Sequence, residues 1–279
     1  MGRGEVVVSW RRTDVLLRVE DVHLALGGRP VLRGVDATVR DIVRDECAQG
    51  QVVAVVGRTG AGKTQLFRML AGLQSPTRGR VLVGAGQVPV ECGMVGMVAQ
   101  DYPLFEHRTV LGNVVVAGRQ VGLGRREVRD RAEALLVRLG LAEQLGSYPS
   151  QLSGGQRQRA AIAQQAICSK HFLLMDEPFT GLDPVAVDDV CRLIADVSHM
   201  DELNTIFVSS HILAAATMVA DTVWVLGRER GANGEPVPGT KIVREVDLIE
   251  RGLAWHPDVA RAPGFAECVS ELRAMFLNL

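Results

Sequence analysis

Residues 57–64 read Gly57-Arg58-Thr59-Gly60-Ala61-Gly62-Lys63-Thr64, a glycine-rich run closed by an amine and a hydroxyl. A triphosphate is densely charged, so a chain that binds one must bring backbone N–H donors close without steric conflict. Gly57, Gly60 and Gly62 allow that approach, and Arg58, Thr59 and Ala61 complete the cradle of amides. Lys63 is spaced to pair with the β- and γ-phosphates, and the Thr64 hydroxyl to ligate Mg²⁺. A second chemical group lies at Asp176-Glu177, after the apolar run Phe172-Leu173-Leu174-Met175. Asp176 closes that run, where its carboxylate can reach the Mg²⁺ shell. Glu177 stands one residue further on, points elsewhere, and can polarise a water attacking the γ-phosphate. The third group is Leu152-Ser153-Gly154-Gly155-Gln156. Ser153 suits a helix N-cap, and two glycines in the first turn would weaken the helix by about 1 kcal/mol each. Capping alone does not explain them; exposed amides awaiting an anion do.

These groups need a rigid scaffold. Val52 to Val56 is a continuous apolar run, as expected of a strand covered on both faces, and it feeds directly into the glycine loop. From Lys63 to Leu73 the apolar residues Leu66, Met69, Leu70 and Leu73 have helical spacing, giving a strand–loop–helix phosphate unit. Further buried strands are expected at Phe172 to Met175, Thr205 to Ser209 and Thr222 to Leu226, separated by helices, which implies a mainly parallel sheet. Asp183-Pro184 is an N-cap and first-turn pair for a helix with the apolar face Val187, Val190, Ile194 and Val197. Val15 to Val39 alternates around Gly27-Gly28-Arg29-Pro30 and predicts antiparallel strands. Residues 101–167 read as an inserted helical subdomain. A loop at 231–239 and a short amphipathic helix from Phe265 to Phe276 close the chain.

Composition narrows the class. With 279 residues and 47% hydrophobic content, a large buried core is expected, and a net charge of −1 gives no reason to expect a nucleic-acid partner. Cys47, Cys92, Cys168, Cys191 and Cys268 contain no C-x-x-C pair and read as buried, reduced thiols rather than a zinc or disulfide framework. Apolar stretches are too short to span a bilayer, and the start from Met1 to Glu5 leads into a run too short for a secretory signal, so a cytosolic chain is expected.

Taken in order, these residues resemble the ATP-binding cassette (ABC) family from about Leu17 to Leu226. The resemblance identifies Walker A at Gly57 to Thr64, the Q-loop glutamine at Gln100, the signature at Leu152 to Gln156 and Walker B at Phe172 to Asp176. It further identifies the catalytic glutamate at Glu177, the D-loop at Gly181-Leu182-Asp183 and the switch histidine at His211. It implies an α/β fold: a P-loop NTPase core with a mainly parallel sheet, an N-terminal antiparallel β subdomain and an inserted helical subdomain. The ATPase domain would cover residues 1–230, and 231–279 would form a C-terminal extension of loop plus short helix. ATP and Mg²⁺ are the implied ligands, with Thr64, Gln100 and Asp176 around the metal. Glu177, His211 and Gln100 would serve catalysis. Each site would join Lys63 and Glu177 of one copy to Ser153, Gly155 and neighbours of a second, so a homodimer is the simplest ATPase.

Tyr148-Pro149-Ser150-Gln151 before the signature is similar to bacterial importer cassettes, and Gln100 to Val110 is similar to importers of polar amino acids or of nitrate, sulfonate and taurine-like solutes. The resemblance thus implies transmembrane permease subunits, an extracytoplasmic solute-binding protein, and a peripheral position on the cytoplasmic side of the inner membrane. Tyr102, Leu104 and Phe105 would either receive a coupling helix or pack within the helical subdomain. A rival reading is a cytosolic ABC ATPase of a non-transport assembly such as iron–sulfur cluster assembly. The sequence also departs from the family. Leu26 stands where an aromatic commonly stacks on adenine, with Trp10 as a candidate substitute; Asp41 to Gln49 is longer than usual; and Gln164 replaces a frequent arginine.

Overall fold

The computed structural model describes residues 9–44, 50–169, 172–200, 205–256 and 258–278. The N-terminal start from Met1, Cys47 and most of the long 41–49 segment lie outside them. Strands β1 (Trp10–Leu26) and β2 (Arg29–Arg44) form a hairpin. Its turn is Gly27-Gly28, with φ of 55° and 76°, a backbone geometry that glycine adopts without strain. Strand β3 (Gln51–Gly57) leads through the glycine loop into α1 (Lys63–Leu70), followed by β4 (Arg78–Val83), β5 (Val88–Pro89) and β6 (Gly96–Val98). The middle holds α2 (Val110–Gln120), α3 (Arg125–Arg138) and α4 (Gly154–Ala166). Then β7 (Phe172–Asp176), α5 (Pro184–Ser198), β8 (Thr205–Ser210), α6 (Leu213–Val219) and β9 (Thr222–Gly227) alternate, before β10 (Lys241–Asp247) and α7 (Phe265–Asn278).

The main sheet has the order β10-β9-β3-β8-β7-β6. Its pairings are parallel except β10 with β9. A smaller antiparallel sheet runs β2-β1-β4-β5. Side chains alternate across the main sheet with the strand period of two. Phe172, Leu174 and Phe207 face the small sheet and α1, whereas Leu173, Met175, Ile206 and Val208 face the core built with α2, α4 and α5. Ala54, Val56, Val223 and Val225 pack with α6 and α7. Because both faces are covered, β3, β7, β8 and β9 are buried along their whole length.

Residues 101–167 hold α2, α3 and α4, joined by loops and two short 3-10 turns, and no strand. Buried Asn113 organises the entry to α2: its Oδ1 accepts from Phe105 N (2.7 Å), and its Nδ2 donates to Phe105 O (3.2 Å) and Thr109 O (3.0 Å). Gln164, also buried, reaches Asn113 Oδ1 from α4 at 3.5 Å. A neutral amide suits that place better than a guanidinium, whose burial demands a counter-charge.

Some expectations are corrected. Helix α1 ends at Leu70 rather than Leu73, because the chain turns at Gly72 (φ 68°), where a Cβ would lie 2.5 Å from the Glu91 carbonyl carbon. Leu73 is therefore exposed. The extension is more than loop and helix, since β10 adds an antiparallel edge strand to the main sheet. Of the described cysteines, Cys191 and Cys268 are buried, Cys168 is half-buried and Cys92 is exposed; all four are free thiols. Among the described residues, no helix is long and apolar enough to cross a membrane.

Candidate active site

The parallel strands β3, β7 and β8 carry the chemically active residues at or just beyond their carboxyl ends, where open α/β sheets place their ligand crevices. Gly57 ends β3 so close to β9 that a Cβ there would lie 2.9 Å from Leu226 O. Gly60 (φ 81°) and Gly62 (φ 86°) then take left-handed conformations that let the loop curl round the start of α1. Lys63 is 6% exposed and folds back under this loop, donating to Gly57 O at 2.8 Å.

A cavity of about 410 Å³ opens beside it, lined by Val31, residues 59–65, Gln100, Glu177, Thr180 and His211. The glycine loop, Lys63, Thr64, Gln100, Glu177 and His211 are thus brought together from separate parts of the chain. Lys63 Nζ lies 3.0 Å from Glu177 Oε1, and His211 Nδ1 lies 2.8 Å from Glu177 Oε2. Burial works against the Glu177 charge, but the Lys63 hydrogen bond and charge, followed by those of His211, outweigh it and hold the carboxyl below the usual glutamate range. Glu177 also has φ of 50°, unusual for a residue with a side chain. Its N–H donates to Ser209 Oγ (2.9 Å), and Ser209 Oγ donates to Asp176 Oδ1 (2.5 Å). Ser209 thereby fixes both carboxylate residues in their divided orientations. Asp176 is buried behind the loop, at 6% exposure, rather than lining the cavity.

Ser209 and Thr180, whose hydroxyl donates to Glu177 Oε2 at 3.2 Å, belong to the site although no spacing rule singles them out. Thr180 lies three residues beyond Glu177, a local spacing, whereas Ser209 meets the site only through the pairing of β8 with β7. Tyr102 supplies another link. Its hydroxyl donates to Pro178 O (3.3 Å), and burial raises its pKa to about 12, so it keeps its proton. Arg157 of α4 donates to Tyr102 O (3.3 Å) and pairs with Glu106, tying the signature helix to the Gln100 loop.

The signature itself is absent from the cavity lining. Ser153 and Gln156 form a reciprocal capping box, Ser153 Oγ accepting from Gln156 N (3.3 Å) and Gln156 Oε1 from Ser153 N (2.9 Å). The glycines are different: a Cβ on Gly154 or Gly155 would meet nothing within 4 Å. Asp183 caps α5, its Oδ1 accepting from Val185 N (2.9 Å) and Ala186 N (3.0 Å). Tyr102 and Leu104 pack against the core beside α2 and α4, leaving Phe105, 46% exposed, as the one member of that trio presented to solvent.

No Phe, Tyr or Trp lines the cavity, and Leu26 is 44% exposed. Trp10 cannot substitute, because it lies at the opposite end of β1 from Leu26, under the Arg12 guanidinium. For a metal, the hard oxygen donors Thr64 and Gln100 face the cavity. No cluster of three or more His, Cys, Asp or Glu side chains suited to a metal occurs among the described residues. Such a donor set fits a hard cation held largely by substrate phosphates, as Mg²⁺ commonly is, rather than a protein cage.

Residues 41–180 match the ABC transporter family. The methionine import ATP-binding protein MetN of Cereibacter sphaeroides is 36% identical over 227 residues, covering 78% of this chain and 62% of that protein. The nopaline permease ATP-binding protein P of Agrobacterium fabrum is 34% identical over 233 residues, covering 77% of this chain and 87% of its own. The chain spans under two thirds of the MetN proteins of C. sphaeroides (62%) and Rhodococcus jostii (64%). A solved structure of an ATP-binding subunit of an ABC transporter superposes with a TM-score of 0.67 at 25% identity, over 92% of this chain and 99% of that one. The cbiO1 structure from Clostridium perfringens gives 0.71 at 24% identity, covering 92% of this chain and all of that one, which shows the shared fold. Family match and relatives agree: this chain is a member of the ABC transporter family.

Proposed function

We propose that the chain hydrolyses ATP as the motor subunit of a solute importer. The observation that carries the reading is the convergence of Lys63, Glu177 and His211, with the glycine loop, in one cavity. The amides of residues 57–64 and the Lys63 ammonium bind the phosphates. Thr64 and Gln100 would hold Mg²⁺ from the cavity wall, with Asp176 behind the loop reaching its shell through water, and the bound ion would neutralise phosphate charge. Glu177, already ionised in its resting pair with Lys63, accepts the proton of the attacking water once the substrate draws Lys63 away. His211, on the opposite Glu177 oxygen, keeps that carboxylate aimed and senses the γ-phosphate.

The active unit is a homodimer, with Ser153, Gly154, Gly155, Gln156 and Asp183 of a second copy closing the site. Support comes from the signature glycines, whose missing side chains serve no packing need inside one chain. The importer reading is supported by relatives named for import of methionine, sulfate or thiosulfate, and aliphatic sulfonates. It brings with it permease subunits in the membrane, an extracytoplasmic solute-binding protein, and a peripheral position on the inner membrane's cytoplasmic face. Phe105 is the exposed apolar residue offered to the permease.

Affinity purification from native membranes in gentle detergent, with mass spectrometry and phosphate-release assays on the eluate, tests the proposal. Multi-span partners with ATP turnover that Lys63→Ala abolishes are expected. Recovery of soluble scaffold proteins alone would instead place the cassette in a non-transport assembly.

A further inference from the structure

The segment joining β9 to β10 follows the last strand of the parallel set, yet it reaches back to the phosphate loop. Glu229 anchors it through ion pairs to Arg33 (2.6 Å) and Lys241 (2.8 Å). At Gly239 (φ 88°) the chain comes so close to β2 that a Cβ would lie 2.9 Å from Arg33 Cβ. Thr240 is then stitched to β2 on both sides: its N–H donates to Val31 O (2.9 Å), and its carbonyl accepts from Arg33 N (2.8 Å). Val31 and Leu32 of that same stretch abut Gly62, each within 3.1 Å of where a Cβ would sit.

Thr240 is 6% exposed, and its hydroxyl lies 2.7 Å from Ala61 O and 3.1 Å from Val31 O. One O–H has one proton, so the shorter contact, to Ala61, is the principal bond. Ala61 is in the middle of the glycine loop. Because its peptide with Gly62 is planar and trans, a carbonyl held toward Thr240 turns the Gly62 N–H to the opposite side. Thr240 lines an adjoining cavity of about 290 Å³ that shares Thr59, Gly60 and Ala61 with the one holding Lys63 and Glu177, but Thr240 itself does not line the latter.

We infer that Thr240 is a positioning residue for nucleotide binding: its hydroxyl pins the Ala61 carbonyl outward, so that the loop's amides stand ready for phosphate before the ligand arrives. This rests on the glycine loop being an ATP site. The C-terminal extension thereby supports the phosphate loop from outside the cavity that holds Lys63 and Glu177. A preorganised loop binds more tightly because less ordering remains to be done on binding. The effect belongs in affinity rather than in the chemical step.

The test compares Thr240→Val, which keeps the shape and loses the hydroxyl, with Thr240→Ser, which keeps the hydroxyl. MgATP affinity is measured by calorimetry, turnover by phosphate release, and Tm as a check on folding. Thr240→Val is expected to raise Kd and KM about five- to tenfold, the loss of one buried hydrogen bond, with kcat at saturating ATP unchanged. Thr240→Ser should stay within about twofold of wild type. Wild-type affinity in Thr240→Val, or a Thr240→Ser as weak as Thr240→Val, would overturn the inference, the latter by showing that the methyl group and not the hydroxyl matters. Should the unsubstituted protein itself bind no MgATP, the nucleotide reading falls and the role of Thr240 with it.

Discussion

Replacing Glu177 by Gln should separate binding from chemistry in opposite directions. In the resting protein the Lys63 ammonium, 6% exposed, is 3.0 Å from a carboxylate that is 14% exposed, so each incoming phosphate must compete for a cation already engaged. A glutamine in the same position still accepts a hydrogen bond from the charged ammonium, but it gives up the ion-pair attraction, on the order of 1 kcal/mol for a partly screened pair. Glutamine therefore leaves Lys63 roughly 1 kcal/mol easier to withdraw, and removes a negative charge facing the phosphates. Nucleotide should bind about fivefold tighter. Losing the general base should meanwhile cut turnover by about 10²–10⁴-fold. Calorimetry with MgADP reads the first effect without the trapping of an ATP-bound pair, and phosphate release under saturating MgATP reads the second. The reasoning fails if Glu177→Gln binds MgADP more weakly than wild type, which would make the Lys63 pair a support for binding rather than a competitor. Turnover within threefold of wild type would remove Glu177 as the base.

Two further outcomes follow from buried and unburied neighbours elsewhere. Gly155→Ala adds a Cβ that meets nothing in its own chain, so Tm should hold or rise, with helix propensity contributing up to about 1 kcal/mol. ATPase activity should nevertheless fall at least about tenfold if a second copy's phosphates approach there; a destabilised chain with normal specific activity would return this glycine to a packing role. Asp221 is buried, accepts from Val52 N at 2.6 Å, and has its pKa raised to about 7 chiefly by desolvation. The native state thus holds that proton longer than the unfolded chain, so its contribution to stability is greatest below the unfolded pKa near 4. It declines as pH rises to about 7, by a few kcal/mol at most. Asp221→Asn should flatten the Tm profile between pH 4 and 7, and parallel profiles for the two proteins would refute the assignment.

Much of this fold is legible in the amino-acid order because its central strands are covered twice. Continuous apolar runs such as Val52 to Val56 and Phe172 to Met175 leave few alternatives to a parallel sheet between layers. Both edge strands of the main sheet escape such reading. Gly96–Val98 is three residues long, and Lys241–Asp247 mixes charged and apolar side chains with no period of two, its register against β9 shifting between Ile242 and Arg244. Site residues divide along a similar line. Glycine, lysine and paired carboxylates announce phosphate chemistry through local spacing, since the loop and the strand end that hold them are themselves local. Ser209 announces nothing, for its importance arises when β8 lies beside β7 and one hydroxyl reaches both Asp176 and the Glu177 amide.

The resting arrangement lies a step further from the sequence. Lys63 and Glu177 are 114 positions apart in the numbering, and their order along the chain implies cooperation on a ligand, not engagement with each other. That engagement follows from burial. An ammonium at 6% exposure beneath a loop of peptide groups needs a counter-charge, and with Asp176 turned to Ser209 the partner in reach is Glu177. On the proposed mechanism the base is thus kept ionised by the very cation that the substrate would claim. Its release to act on water would then be coupled, through one hydrogen bond, to the arrival of phosphate.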